Sequence, residues 1–179
     1  MVIIPPELIQ SQPELAGIAP GPAHGSEWIR KASDKQWLAY TDKAYNRSRF
    51  AHLAIMYGWL CAGDRQLIYS NQEPYLVHSV DHGHFLPGGP NWTAQMLQNS
   101  PPVGLYEEIT QACGLTDADI QAAANALRSL SPEEIVTAVA APPDEWGVST
   151  DERVALAEFL IDRRAALLKA CSPESGGYR

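Results

Sequence analysis

The spacing of apolar residues changes period along this chain. From Asn46 onward, RSRFAHLAIMYGWLCAG places Phe50, Leu53, Ala54, Tyr57, Leu60 and Cys61 at helical spacing, and Gly63 ends the run, so a buried helix is expected there. Two apolar runs follow, QLIYS and YLVHSVD, separated by NQEP. Asn71 and Pro74 in that separator favour a turn, and the pattern predicts a β-hairpin. After Pro90 the period is helical throughout. Trp92 to Asn99 and Leu105 to Cys113 are short candidates, and Thr116 caps a run through Leu130. Ser131 to Glu134 (SPEE) is a capping box with proline at the first helical position, and Ser149 to Glu152 (STDE) is a second box before a long amphipathic run to Cys171. The first 44 residues differ: they are rich in Pro and Gly, with short strand candidates at Val2 to Ile4 and His24 to Ile29. There is no internal repeat, and the tail SPESGGYR is polar and expected to fray. The sum is a mainly helical α+β unit: 1–44 strands and loops, 45–171 helices behind one hairpin, 172–179 a disordered tail.

Length and charge narrow what such a unit can do. A chain of 179 residues makes one domain, or one lobe of a larger catalytic unit. Its net charge of -8 argues against direct nucleic-acid binding, which draws on a basic surface. Cys61, Cys113 and Cys171 are odd in number, far apart and form no CxxC pair, so they read as reduced thiols of a cytoplasmic protein. No apolar run approaches the roughly 18 to 20 residues of a membrane span, and MVIIPPELI lacks the regions of a signal peptide.

The candidate chemistry sits where the hairpin opens. LVHSVDHGHFLPGG holds His78, Asp81, His82 and His84 ahead of Pro87, Gly88 and Gly89. Three readings fit: a transition-metal site, a phosphate and magnesium site, or a strand end with polar residues at its exit. On an extended strand His78, Val80, His82 and His84 would share one face, which would suit zinc or iron with Asp81 nearby and His52 as a further ligand. The hairpin also sets Asp64, Arg65 and Gln66 at the same end as Asp81. Phosphoryl transfer needs one carboxylate to orient or deprotonate a hydroxyl and another, with an amide oxygen, to hold magnesium; Asp64 suits the first role, Asp81 and Gln66 the second. Arg65 either steadies a phosphate or pairs with an acid. Trp37, Trp59, Trp92 and Trp146 are spaced without pattern and read as core or rim, as does His78, and Arg163 and Arg164 read as a solvated face of the last helix.

These residues carry a resemblance. WLCAGDRQLIY followed by SVDHGHF resembles the catalytic loop and metal-binding aspartate motif of the HipA-like kinases, atypical kinases related to the phosphatidylinositol 3- and 4-kinases. AHGSEWI is similar to the strand entering that family's hinge, and DEWGVSTDERVALAEFLIDRRAALL to its closing helices. The resemblance implies the C-terminal lobe of an atypical protein-kinase-like fold with a catalytic hairpin, residues 1–44 being a remnant of the N-terminal lobe and the hinge. It implies Mg2+ and ATP as cofactors, Asp64 and Arg65 as catalytic, Asp81 and Gln66 on the metal, Trp28 and Ile29 beside the nucleotide, and Ser or Thr of a protein as substrate.

Two departures accompany it. Family loops place several residues and an asparagine between the Asp-Arg pair and the next strand, whereas here Gln66 follows Arg65 directly. No glycine-rich loop or strand lysine precedes Ser26, and Arg30, Lys31, Lys35 and Lys43 would lie past the hinge. The chain is therefore expected to be truncated, completed by a partner chain or oligomer that supplies the N-lobe, or weak in catalysis. Three expectations follow. Asp64 and Asp81 converge, Mg-ATP binds weakly to this chain alone, and an unfinished apolar surface surrounds Val2, Ile3, Trp28 and Ile29. The alternatives are an inactive regulatory module of toxin-antitoxin type and a histidine-ligated metal hydrolase.

Overall fold

The computed structural model describes residues 2–13, 16, 17, 19–23, 29, 31–33 and 37–172. The fold is α+β and mainly helical. Its elements are β1 (Val2–Ile4), α1 (Pro6–Ser11), β2 (Gly21–Ala23), β3 (Ala32–Ser33), α2 (Ala44–Leu60), β4 (Gln66–Ser70), β5 (Val77–Val80), α3 (Ala94–Gln98), α4 (Glu107–Ala112), α5 (Asp117–Ser129), α6 (Pro132–Ala140) and α7 (Thr150–Ala170). β1 and β2 pair antiparallel as a separate ribbon, Ile3 opposite Pro22. The second early strand thus lies at Gly21–Ala23; of the expected His24 to Ile29 strand only Ile29 falls among the described residues, half-buried and outside any strand.

α2 is the central beam because it is apolar on two sides. Phe50, Ala54 and Tyr57 face the hairpin and join Leu67, Tyr69, Val77, Phe85, Ile109 and Cys113 in one core. Ala51 and Ile55 face the other way, into a core with Ile120, Ala123, Ala124 and Leu127 of α5 and Leu167 of α7. A helix buried against two layers spaces its apolar residues all round rather than in one stripe. The helix ends at Cys61, which takes a left-handed conformation with φ 59° and gives its N–H to Tyr57.

The hairpin behind α2 has the register Gln66 opposite Val80, Leu67 opposite Ser79, Ile68 opposite His78 and Tyr69 opposite Val77. Leu67, Tyr69 and Val77 turn into the core, which is the alternation a half-buried strand requires. A two-residue third strand, β3, adds to its outer edge with Ala32 opposite Ser70. The closed end of the hairpin is fastened to α2 by Asn46, whose Nδ2 donates to Tyr75 O at 3.0 Å and to Tyr40 O at 3.3 Å while its Oδ1 accepts from Val77 N at 2.9 Å.

α5, α6 and α7 each start with the capping box, at Thr116, Ser131 and Ser149. Arginines of α7 do not form a solvated face as the sequence suggests. Arg163 is buried, 8% exposed, and gives its N–H groups to Trp59 O, Gly58 O and Pro101 O at 2.7 to 2.8 Å. Arg164 donates to Leu127 O and Arg128 O at the end of α5, and Arg153 to Ala140 O and Pro142 O at the end of α6. Each cation meets carbonyls at or just beyond the last turn of a helix, α2, α5 or α6, where the helix dipole favours positive charge.

Candidate functional site

The open end of the hairpin gathers the acidic residues. Gln66 begins β4 and Val80 ends β5 opposite it, so Asp64, two residues earlier, and Asp81, one residue later, are delivered to the same place. Gln66 Nε2 lies 3.3 Å from Asp64 Oδ2 and 3.1 Å from Asp81 Oδ2. One amide nitrogen therefore spans both carboxylates, whose oxygens lie no farther apart than those two bonds laid end to end. All three side chains are open to solvent.

Local backbone explains the convergence. Gly63 donates its N–H to His84 O at 2.8 Å, stitching the loop after α2 to the loop after β5, and a Cβ at Gly63 would stand 3.0 Å from that same oxygen. Asp81 adopts a left-handed conformation, φ 52°, which aspartate tolerates better than most residues. The strand stops there, and His82–His84 form one turn of 3₁₀ helix closed by Phe85 N–H to His82 O.

That turn removes the common histidine face expected from an extended chain. His78 lies on β5 with Nε2 3.5 Å from Ser70 Oγ, His82 reaches Ser79 Oγ at 2.9 Å, and the His84 ring lies against Gly89. His52, on α2, is taken by Ser48 O at 2.7 Å. Burial, with Arg49 adding to it, lowers the His78 pKa, which keeps that ring neutral. Among the described residues no three His, Cys, Asp or Glu side chains gather as a metal-binding group.

Arg65 forms no ion pair with a carboxylate among the described residues. Its guanidinium stacks on Tyr106, 4.2 Å from the ring centroid, and donates to Ala62 O at 3.3 Å. Tyr106 in turn donates to Glu108, which also accepts from Trp37 Nε1 at 2.6 Å. These two bonds, Trp37 first, pull the Glu108 pKa down, while burial more than its bond to Glu108 pushes Tyr106 up to about 12. Beside this cluster a depression of about 260 Å³ is lined by Trp37, Arg65, Gln66, Leu67 and Ile68. Trp28 lies outside the described residues, and Ile29 is not among the residues lining it.

The donor set suits a hard cation. Two carboxylates and a carboxamide are oxygen ligands of the kind magnesium takes, and Gln66 now holds its N–H between them where a cation would neutralise both. Turning the amide would offer Oε1 instead. Such a set is incomplete alone, as magnesium sites on enzymes usually are before phosphate oxygens and water fill the shell. Sequence reading passed over Ser79 and Tyr57, whose hydroxyls lie 2.8 Å apart behind His82, and Asn46, because Ser, Tyr and Asn inside apolar runs carry no spacing signal of their own. No protein-family model matches this chain, and comparison with curated proteins and with solved structures finds no match.

Proposed function

We propose that this chain is the C-terminal lobe of a HipA-like phosphotransferase that moves the γ-phosphoryl group of ATP to a Ser or Thr hydroxyl of a protein. The observation that carries this reading is the amide of Gln66 set between the carboxylates of Asp64 and Asp81 at the mouth of the hairpin. Asp64 accepts the proton of the attacking hydroxyl, whose oxygen bonds the γ-phosphorus as ADP leaves. Asp81 and Gln66 are the residues that would hold magnesium, which when bound supplies positive charge against the phosphates. Arg65, fixed on Tyr106, stiffens the loop that carries Asp64. The depression beside Gln66, about 260 Å³, falls just below the roughly 300 to 1,000 Å³ common for ligand sites, as suits one wall of a cleft completed by an N-lobe from a partner chain or oligomer.

The test is transfer of labelled γ-phosphate from Mg-ATP to the chain itself or to a Ser/Thr peptide mixture, with and without a supplied N-lobe. Asp64→Asn and Asp81→Asn should each lower the rate by roughly 100-fold or more, on the scale of losing a general base or a metal's charge. Equal rates in both variants and the wild type would remove the reading. An inactive nucleotide-binding or regulatory module is the second reading, favoured by the want of a glycine-rich loop and strand lysine before Ser26; it predicts nucleotide binding that depends on Asp81 without any transfer. The histidine-ligated hydrolase is not proposed, because among the described residues the histidines near the hairpin do not gather into a metal-binding group.

A further inference from the structure

Behind Asp81 runs a chain of side-chain hydrogen bonds that the catalytic reading leaves unused. Tyr57, buried in α2, has its hydroxyl 2.8 Å from Ser79 Oγ, and Ser79 Oγ lies 2.9 Å from His82 Nε2. The His82 ring rests on Phe85 with centroids 4.6 Å apart, and Phe85 meets Tyr57 edge-on at 5.2 Å, so the ring is also held from the core side. Ser79 and His82 flank Asp81 in sequence, and their bond bridges the residue that carries the left-handed φ.

The polarity of this chain follows from its buried end. Burial raises the Tyr57 pKa, with Ser79 opposing in part, so the phenol keeps its proton. A buried hydroxyl without an acceptor costs about 1 to 3 kcal/mol, so Tyr57 donates to Ser79. The single hydroxyl proton of Ser79 then goes to His82 Nε2. His82 is thereby an acceptor at Nε2 and carries its proton at Nδ1.

We propose that Tyr57, Ser79 and His82 form a clasp that positions Asp81, holding its backbone in the left-handed turn that brings Oδ2 to Gln66 and Asp64. His82 and Ser79 are positioning residues that act through Asp81. The inference rests on the reading of Asp81 as a metal ligand given above. Without the clasp the turn at Asp81 keeps its backbone bonds, Gly63 N–H to His84 O and Phe85 N–H to His82 O, but loses the side-chain tie across Asp81, and the carboxylate samples other directions.

The test uses the full chain at a fixed pH of about 8, above the ordinary histidine value. Nitrogen-15 NMR of the His82 ring should show the Nδ1–H tautomer in the wild type and a mixture in Ser79→Ala; Tyr57→Phe, which keeps its ring in the core, gives the same readout should Ser79→Ala not fold. With Mn2+ as the probe, Ser79→Ala and His82→Ala should bind 10- to 100-fold more weakly, the usual cost of removing a partner behind a ligand, while Ser79→Thr stays near wild type. An Nε2–H tautomer in the wild type, or unchanged tautomer and affinity in these variants, overturns the clasp. If Asp81→Asn binds Mn2+ as the wild type does, it is the metal-ligand reading that falls. The clasp is then judged by the tautomer and by amide exchange from Asp81 to Phe85, which quickens in Ser79→Ala if the clasp holds the turn and is unchanged if it does not.

Discussion

Asn46 uses both ends of its amide within the protein, so Asn46→Ala would strand Val77 N–H and Tyr75 O away from water. Leaving buried groups unpaired costs about 1 to 3 kcal/mol each, and a loss of roughly 2 to 4 kcal/mol is expected in urea titration, with the hairpin loosened as well. Gly58→Ala tests backbone contact rather than hydrogen bonding. Alanine is the better helix former, yet a Cβ at Gly58 would run into Gly104 O, a backbone atom that cannot turn aside. A net loss of about 1 to 3 kcal/mol is expected from overpacking, and a gain in stability would show that the 104–105 segment yields easily. That Asp64, Gln66 and Asp81 share one end of the hairpin was legible in the sequence, because hairpin pairing is short-range and fixes which residues meet there. Sequence reading failed on Arg163, since charged residues on an outer helix are usually solvated and its partners are main-chain carbonyls, which have no signature in sequence.

At the level of elements, α2, the hairpin and the helices after Pro90 were legible because period and caps are local properties. The structure departs where non-local contact decides. β3 is two residues long, too short for an alternation to show, and its pairing with β4 is set by the sheet edge. The 3₁₀ turn at His82–His84 follows from one left-handed residue, which strand periodicity does not reveal. The caps can be tested separately. Ser149 Oγ accepts from Glu152 N, and the Glu152 carboxylate accepts from Ser149 in return. Ser149→Ala should cost about 1 kcal/mol by urea unfolding and speed amide exchange in the first turn of α7. An equal change at Ser131→Ala would show that cap strength, rather than the length of the helix behind it, sets the loss.

The whole molecule should lose stability at both ends of the pH scale. Burial pushes Tyr69 up to about 12 and Cys113 up to about 11, from ordinary values of 10.0 and 9.0. Groups raised in the folded state stabilise fully below their ordinary values and lose that contribution as pH rises through the folded ones, so the urea midpoint should fall between about pH 9 and 12. At the acid end Asp119 is held well below its ordinary 3.8, first by its hydrogen bond from Arg47. Its stabilisation is present above that value and is lost as pH falls below it, and Arg47→Ala should flatten this acid limb. Arg163→Met should cost about 3 kcal/mol, because three carbonyls lose a shared donor, a large part of the roughly 5 to 15 kcal/mol that holds a domain folded. Calorimetry of the chain alone should find weak Mg-ATP binding, each absent charge-assisted contact lowering affinity by roughly 1.5 to 3 kcal/mol; tight binding would show that no N-lobe is needed.

Arg163 also sets a timetable. Gly58 leaves the ribosome with its carbonyl open, and 105 more residues must be made before the guanidinium that closes it exists. At ordinary elongation speeds that is a wait of roughly 5 to 20 seconds. Through that interval the end of α2, from which the loop to Asp64 departs, is a frayed edge on a nascent chain. A late helix finishes an early one, and the end of α2, upstream of the acidic site, can be closed only after Arg163 has been made.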